Sequence, residues 1–143
     1  MNSIPYHLTI ACLIGLISTG TFFTVLPMFI SSVNYSTSVS SVMNLQDSID
    51  KLVRYGEYGS ARSVYLTISG GNLKILAGEE VILEQDGKEM RFPINNRVKI
   101  EKVSDGILEI DGRATITIFY AKDCATAEEK LEGKKYAMVI CDR

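Results

Sequence analysis

The residues of this chain that could do chemistry are few and widely spaced. The single histidine, His7, precedes a long apolar run, so neither a Ser-His-Asp relay nor a histidine metal site can form with the residues that follow it. Asp105, Asp111 and Asp123 carry carboxylates, but their spacing is not that of a calcium loop, and each stands where a turn or a helix cap favours Asp. Ser69-Gly70-Gly71-Asn72 lacks the Lys and the following helix of a phosphate loop, and reads as hairpin chemistry. Glu128, Glu129 and Lys130 read as a solvated helix face. These residues call for no enzyme, no metal and no cofactor.

The cysteines fall into two groups. Cys12 lies among apolar residues and behaves as a small hydrophobe. Cys124 and Cys141 flank Ala125–Ile140 and could close one loop. A disulfide there would place its domain in an oxidising, external compartment and stabilise it by about 3 kcal/mol; spacing alone leaves two free thiols open. Asn34-Tyr35-Ser36 matches the acceptor pattern for N-glycosylation. Tyr55, Tyr58 and Tyr65 gather near one junction, and Tyr serves interfaces and helix–sheet packing alike.

Whatever these residues do is positioned by one element. Tyr6–Ile30 is apolar, and no Asp, Glu, Lys or Arg appears before Asp47. A bilayer-spanning helix needs about 20 mostly apolar residues, and Leu8, Ile10, Leu13, Ile14, Leu16, Ile17, Phe22, Phe23, Val25, Leu26, Met28, Phe29 and Ile30 leave no polar stripe for a soluble helix. A cleaved secretory signal would carry a basic start, a shorter run and a small-residue cleavage site. Pro5 suits a first helical turn. Gly15, Ser18, Thr19 and Gly20 would let another helix approach closely. Pro27 should kink or loosen the helix, with Thr24 supplying the freed carbonyl with a hydroxyl.

From Ser31 onward, Val33, Val39, Val42, Met43, Leu45, Ile49, Leu52 and Val53 recur near helical spacing, which predicts one helix from about Ile4 to about Tyr55, roughly 75 Å long. Gly56 and Gly59 end it. The expected organisation is a helical segment over residues 1–55 and a β-rich domain over 56–143.

Past the glycines the apolar period becomes 2. Val64, Leu66 and Ile68 alternate with Tyr65 and Thr67, and the turn at Ser69–Asn72 predicts a hairpin into Leu73–Leu76. Asp86-Gly87 joins Glu80–Gln85 to Lys88–Ile94 in a second hairpin. Val98–Val103, Ile107–Ile110 and Arg113–Ala121 follow, the last with Ala114, Ile116, Ile118 and Tyr120 on one face. Asp123 caps a short helix over Ala125–Glu132, and Tyr136–Cys141 is the final strand. The fold class is α+β: a long apolar amino-terminal helix and an antiparallel, β-sandwich-like domain.

The 143 residues carry 15 basic and 17 acidic groups, net −2, interspersed without the basic field that nucleic acid requires. An apolar amino-terminal helix running into a Ser/Thr-bearing segment, a glycine-marked junction and an all-β domain, with Arg62-Ser63-Val64-Tyr65-Leu66-Thr67-Ile68-Ser69-Gly70-Gly71 its most suggestive segment, resembles the archaeal type IV pilin and archaellin superfamily. Met1–Tyr6 departs from that pattern in having no Lys or Arg ahead of the apolar run.

The resemblance implies a helix that resides in the membrane and is then drawn into a cell-surface filament, where copies of the chain self-associate with their β domains outside, serving adhesion or motility. Leu13, Leu16, Ile17, Phe22, Phe23, Leu26, Phe29 and Ile30 would be the packing surface, Gly15 and Gly20 would permit close approach, and Pro27 would sit at the seam. It implies equally an alternative, a membrane-anchored stator-like module that contacts a surface layer. The absence of charge up to Asp47 is expected to reflect burial among neighbouring helices, since an unpaired charge there is costly while Ser and Thr can bond back to their own helix. Asp in place of Val39 or Val42 is therefore expected to abolish assembly and leave the β domain intact.

Overall fold

The computed structural model describes residues 4–126 and 131–143. Its contacts divide the chain into two compact units, Met1–Val33 and Asn34–Arg143, and helix α1 (Ile4–Tyr55) contributes to both. Residues 34–55 of the helix, expected to belong with the amino-terminal segment, thus group with the β-rich part. The reason is a stripe on α1: Ser38, Ser41, Val42, Leu45, Ser48, Ile49 and Leu52 are buried, at the three-and-four spacing that lines one face of a helix. Val42, Leu45, Ile49 and Leu52 belong to the main core of the second unit, so that part of the helix cannot be separated from the domain.

Eight strands among the described residues complete this unit. They are β1 (Ala61–Thr67), β2 (Gly71–Leu76), β3 (Glu80–Gln85), β4 (Lys88–Pro93), β5 (Val98–Val103), β6 (Ile107–Ile110), β7 (Arg113–Ala121) and β8 (Ala137–Asp142). They form two four-stranded sheets, ordered β1-β7-β8-β5 and β4-β3-β2-β6. Val64, Leu66, Ile116, Ile118, Ile100 and Ile140 of the first sheet and Leu73, Ile75, Val81, Leu83 and Ile110 of the second share the core with the helix stripe. The fold is α+β with a β-sandwich-like domain, as the alternation predicts.

The β3–β4 hairpin forms as expected. Gln85 faces Lys88 across a two-residue turn in which Asp86 and Gly87 have φ of 51° and 71°, the pair of positive values this turn requires. The expected β1–β2 hairpin does not form. β1 pairs with β7 and β2 with β3 and β6, so Ser69-Gly70 carries the chain from one sheet to the other. Local turn chemistry looks the same in both cases; the choice is made by distant partners, with the Ile68 N–H still donating to the Gly112 carbonyl at 2.8 Å. Gly71 then passes so near β3 that a Cβ would lie 2.5 Å from the Glu84 carbonyl oxygen.

The sheets are not wholly antiparallel. β7 and β8 pair in parallel, Thr117 facing Ala137 and Ala121 facing Cys141, and a parallel pair requires a crossover. Residues 122–136 supply it. Its described beginning is a 3-10 turn, Cys124–Thr126, opened by Asp123, whose Oδ1 accepts from the Ala125 N–H at 3.0 Å. The rest of the helix expected over Ala125–Glu132, with Glu128, Glu129 and Lys130, lies largely outside the described residues. Leu131 returns to cover Phe119, Ala121, Ala137 and Val139 in a second small core, and Cys124 is joined to Cys141 by a disulfide.

Candidate assembly helix

In the first unit every described side chain from Pro5 to Val33 is exposed. Leu16 at 72 %, Phe23 at 69 % and Phe29 at 64 % would be unusual on a soluble surface, where contiguous apolar patches are small. Leu13, Ile17, Phe22, Leu26 and Ile30 share this uncovered surface, and Pro27 lies within it. At Gly15 and Gly20 an added Cβ would meet nothing within 4 Å. Ser18, Thr21, Phe22, Val25, Leu26 and Phe29 line a shallow apolar groove of about 460 Å³.

Four threonines of this unit turn their hydroxyls inward on the backbone. Thr9 donates to the Pro5 carbonyl at 2.7 Å, Thr19 to Gly15 at 2.7 Å and Thr21 to Ile17 at 2.9 Å. Thr24 does not serve the Phe23 carbonyl that Pro27 deprives of a donor. It donates to Gly20 at 3.1 Å and Thr21 at 3.0 Å, because helical side chains lean towards the amino terminus and reach only the preceding turn. The threonines therefore add no outward polarity. The helix is long and apolar enough to cross a membrane.

Two expected assembly residues lie elsewhere. Val42 is fully buried and Val39 half-buried in the core of the second unit, so they pack on the chain's own sheets. Nor do Ser38 and Ser41 spend their hydroxyls on their own helix. Ser41 Oγ accepts from the Thr67 N–H at 3.0 Å and donates to the Thr67 carbonyl at 2.9 Å. Ser38 Oγ does the same for Ser69, accepting at 2.9 Å and donating at 3.2 Å. These backbone groups point away from β7, whose partner is the intervening Ile68. The two serines thus take the place of a strand along the end of β1, managing an edge that would otherwise be open.

Further ties hold α1 to the domain. The Ser69 hydroxyl donates to Asn34 Oδ1 at 2.9 Å, giving the candidate glycosylation residue a structural task on a helix. Gln46 donates to the Pro93 carbonyl at 2.6 Å, and Asn95 donates to Asp50 at 2.8 Å. At the helix exit, Tyr58 and Tyr120 each donate to a different oxygen of Asp142, at 2.5 Å and 2.7 Å. The carboxylate holds the Tyr58 hydroxyl above its ordinary pKa; burial and then the same carboxylate raise that of Tyr120. Sequence reasoning missed this clamp and the serine pair. Serines three apart on the same stripe as Val42 and Leu45 were the legible signal for the latter.

One grouping of three potential metal-ligand atoms occurs among the described residues, Glu101 with Cys124 and Cys141, and both its sulfurs are committed to the disulfide. Compared with protein-family models, curated proteins and solved structures, the chain matches none.

Proposed function

We propose that this chain is a non-enzymatic structural subunit of an extracellular filament of the archaeal type IV pilus kind, held in a membrane by α1 before assembly and packed through that helix afterwards. The observation that carries this reading is an uncharged, uncovered helix surface that outlasts a bilayer. From Pro5 to Gln46 no residue is charged, about 60 Å of helix at 1.5 Å per residue, against a hydrocarbon thickness of about 30 Å. The domain accounts for one stripe beyond Asn34, yet Val33, Tyr35, Ser36, Ser40, Met43 and Asn44 are exposed and uncharged as well. Water would tolerate charge at these positions; a neighbouring apolar helix would not.

Met43, 59 % exposed, provides the test. Met43→Asp should leave the domain's thermal midpoint unchanged and abolish filaments in electron micrographs of the expressing cells. Filaments of normal number and length would overturn the reading and favour an anchored module whose helix is solvated beyond the span. Isolated membrane-embedded copies of the unmodified chain at high expression would do the same.

A further inference from the structure

Glu101, Cys124 and Cys141 bring a carboxylate oxygen and two sulfurs within 4.8 Å of one another, and three separate elements put them there. Cys141 lies on β8, facing Lys99 on one side and Ala121 on the other, and is fully buried. Cys124 follows Ala121 closely in the chain, in the 3-10 turn where the Asp123 carboxylate accepts from the Ala125 N–H. Glu101 is the extra residue where the β5 register shifts between Ile100 and Lys102, an irregularity of the kind that re-aims a side chain. Its Oε2 stands 3.9 Å from Cys141 Sγ and 2.9 Å from Lys99 Nζ, so the lysine fixes where the carboxylate points.

In the oxidised chain both sulfurs belong to the disulfide. Cysteines enter a chain as thiols, however, so the domain has a dithiol state before that bond is made. We propose that in this state Cys124, Cys141 and Glu101 bind one zinc ion, which ties β8 to the crossover until the disulfide replaces it. This assignment stands independently of filament assembly.

The donor set selects the metal. Two thiolates favour a thiophilic ion over calcium or magnesium, which take oxygen ligands. Two sulfurs and one oxygen, with a fourth position left to water, make the tetrahedral shell that zinc adopts. Zinc bonds of about 2.3 Å to sulfur and about 2.1 Å to oxygen put tetrahedral ligand atoms about 3.5–3.8 Å apart, close to the 3.9 Å that separates Cys141 Sγ from Glu101 Oε2. Two thiolates and a carboxylate exceed the charge of the ion by one, and Lys99 offsets the excess. Disulfide formation then moves two electrons from the two thiolates to an incoming disulfide, which leaves as two thiols after taking up two protons. The metal loses both sulfur ligands in that step and departs.

The test is a metal titration of the full-length chain in detergent micelles, reduced with a dithiol and then freed of it under nitrogen. Cobalt(II), as a coloured stand-in for zinc, should give the near-ultraviolet charge-transfer band of thiolate ligation and the visible bands of a tetrahedral ion, at one metal per chain, and zinc should displace it. The oxidised chain should show neither. Glu101→Gln, isosteric at a half-buried position, should lose at least about tenfold in zinc affinity, the least that losing a group which merely orients a ligand costs. Cys12→Ser should bind as the unmodified chain does, since Cys12 lies on α1, away from the site. If reduction alone unfolds the domain, zinc should restore its near-ultraviolet circular dichroism. No charge-transfer band in the reduced chain, undiminished affinity in Glu101→Gln, loss of binding in Cys12→Ser, equal binding by the oxidised chain, or a reduced domain that zinc leaves unfolded would overturn the proposal.

Discussion

The hydroxyl of Ser41 on α1 holds both backbone groups of Thr67 on β1, accepting at 3.0 Å and donating at 2.9 Å. One side chain thereby does for a strand edge what a neighbouring strand does elsewhere. Ser41→Ala removes it and leaves an N–H and a carbonyl without a partner, at a cost of about 1–3 kcal/mol. Denaturant titration of Ser41→Ala and Ser38→Ala should show losses in that range, and losses below about 0.5 kcal/mol would mean that water replaces the serines.

Val42→Asp should unfold the domain rather than merely block assembly. Val42 is fully buried, and an unpaired carboxylate in an apolar core costs several kcal/mol. Near-ultraviolet circular dichroism of the variant should lose its tertiary signal, whereas Met43→Asp should keep it.

Gly71→Ala should destabilise by about 1–3 kcal/mol, the usual cost of overpacking, since its Cβ would stand 2.5 Å from the Glu84 carbonyl oxygen and 3.2 Å from the Gln85 Cβ. At Gly112 an added Cβ would meet nothing within 4 Å, so Gly112→Ala should shift the melting midpoint far less.

The clamp at Asp142 predicts an alkaline response. The hydroxyls of Tyr58 and Tyr120 have raised pKa values, so their contribution to stability is complete below about pH 10, the ordinary tyrosine value, and is lost as pH rises through the raised folded values. Asp142→Asn should flatten this dependence. A stability profile above pH 10 that is the same with and without Asp142 would rule the clamp out as its cause.

Reducing the Cys124–Cys141 disulfide should lower stability by about 3 kcal/mol, the loop-closure value for this span, measured as a fall in the denaturation midpoint with a thiol reductant. No change on reduction would show that β8 and the crossover hold one another without it.

The sequence was most legible where structure is local. The α1 limits, the Asp86-Gly87 hairpin and the alternation of Ala114, Ile116, Ile118 and Tyr120 depend on neighbours a few residues away, and all are as the pattern predicts. What Ser69–Asn72 would join depended on β7, more than 40 residues further on, and turn chemistry carries no information about which sheet a strand enters. Val39 and Val42 were misassigned for the same reason: apolar spacing reveals that a helix face is covered, without revealing by what. The uncovered surface from Leu13 to Ile30 was fully legible, because composition alone defines it.

The placement of β8 has a consequence for the order of events in synthesis. β8 lies inside its sheet, between β7 and β5, and follows both in the chain. The β4-β3-β2-β6 sheet can close once residue 110 has emerged, but without β8 the other sheet is a β1–β7 pair and a stranded β5. Parallel, long-range pairing is slow to form, and a half-built sheet exposes edges that invite aggregation. The helix that is long and apolar enough to cross a membrane precedes every strand in the chain, and the strand that completes this other sheet follows all the rest, so the sheet closes only after the rest of the domain has been made.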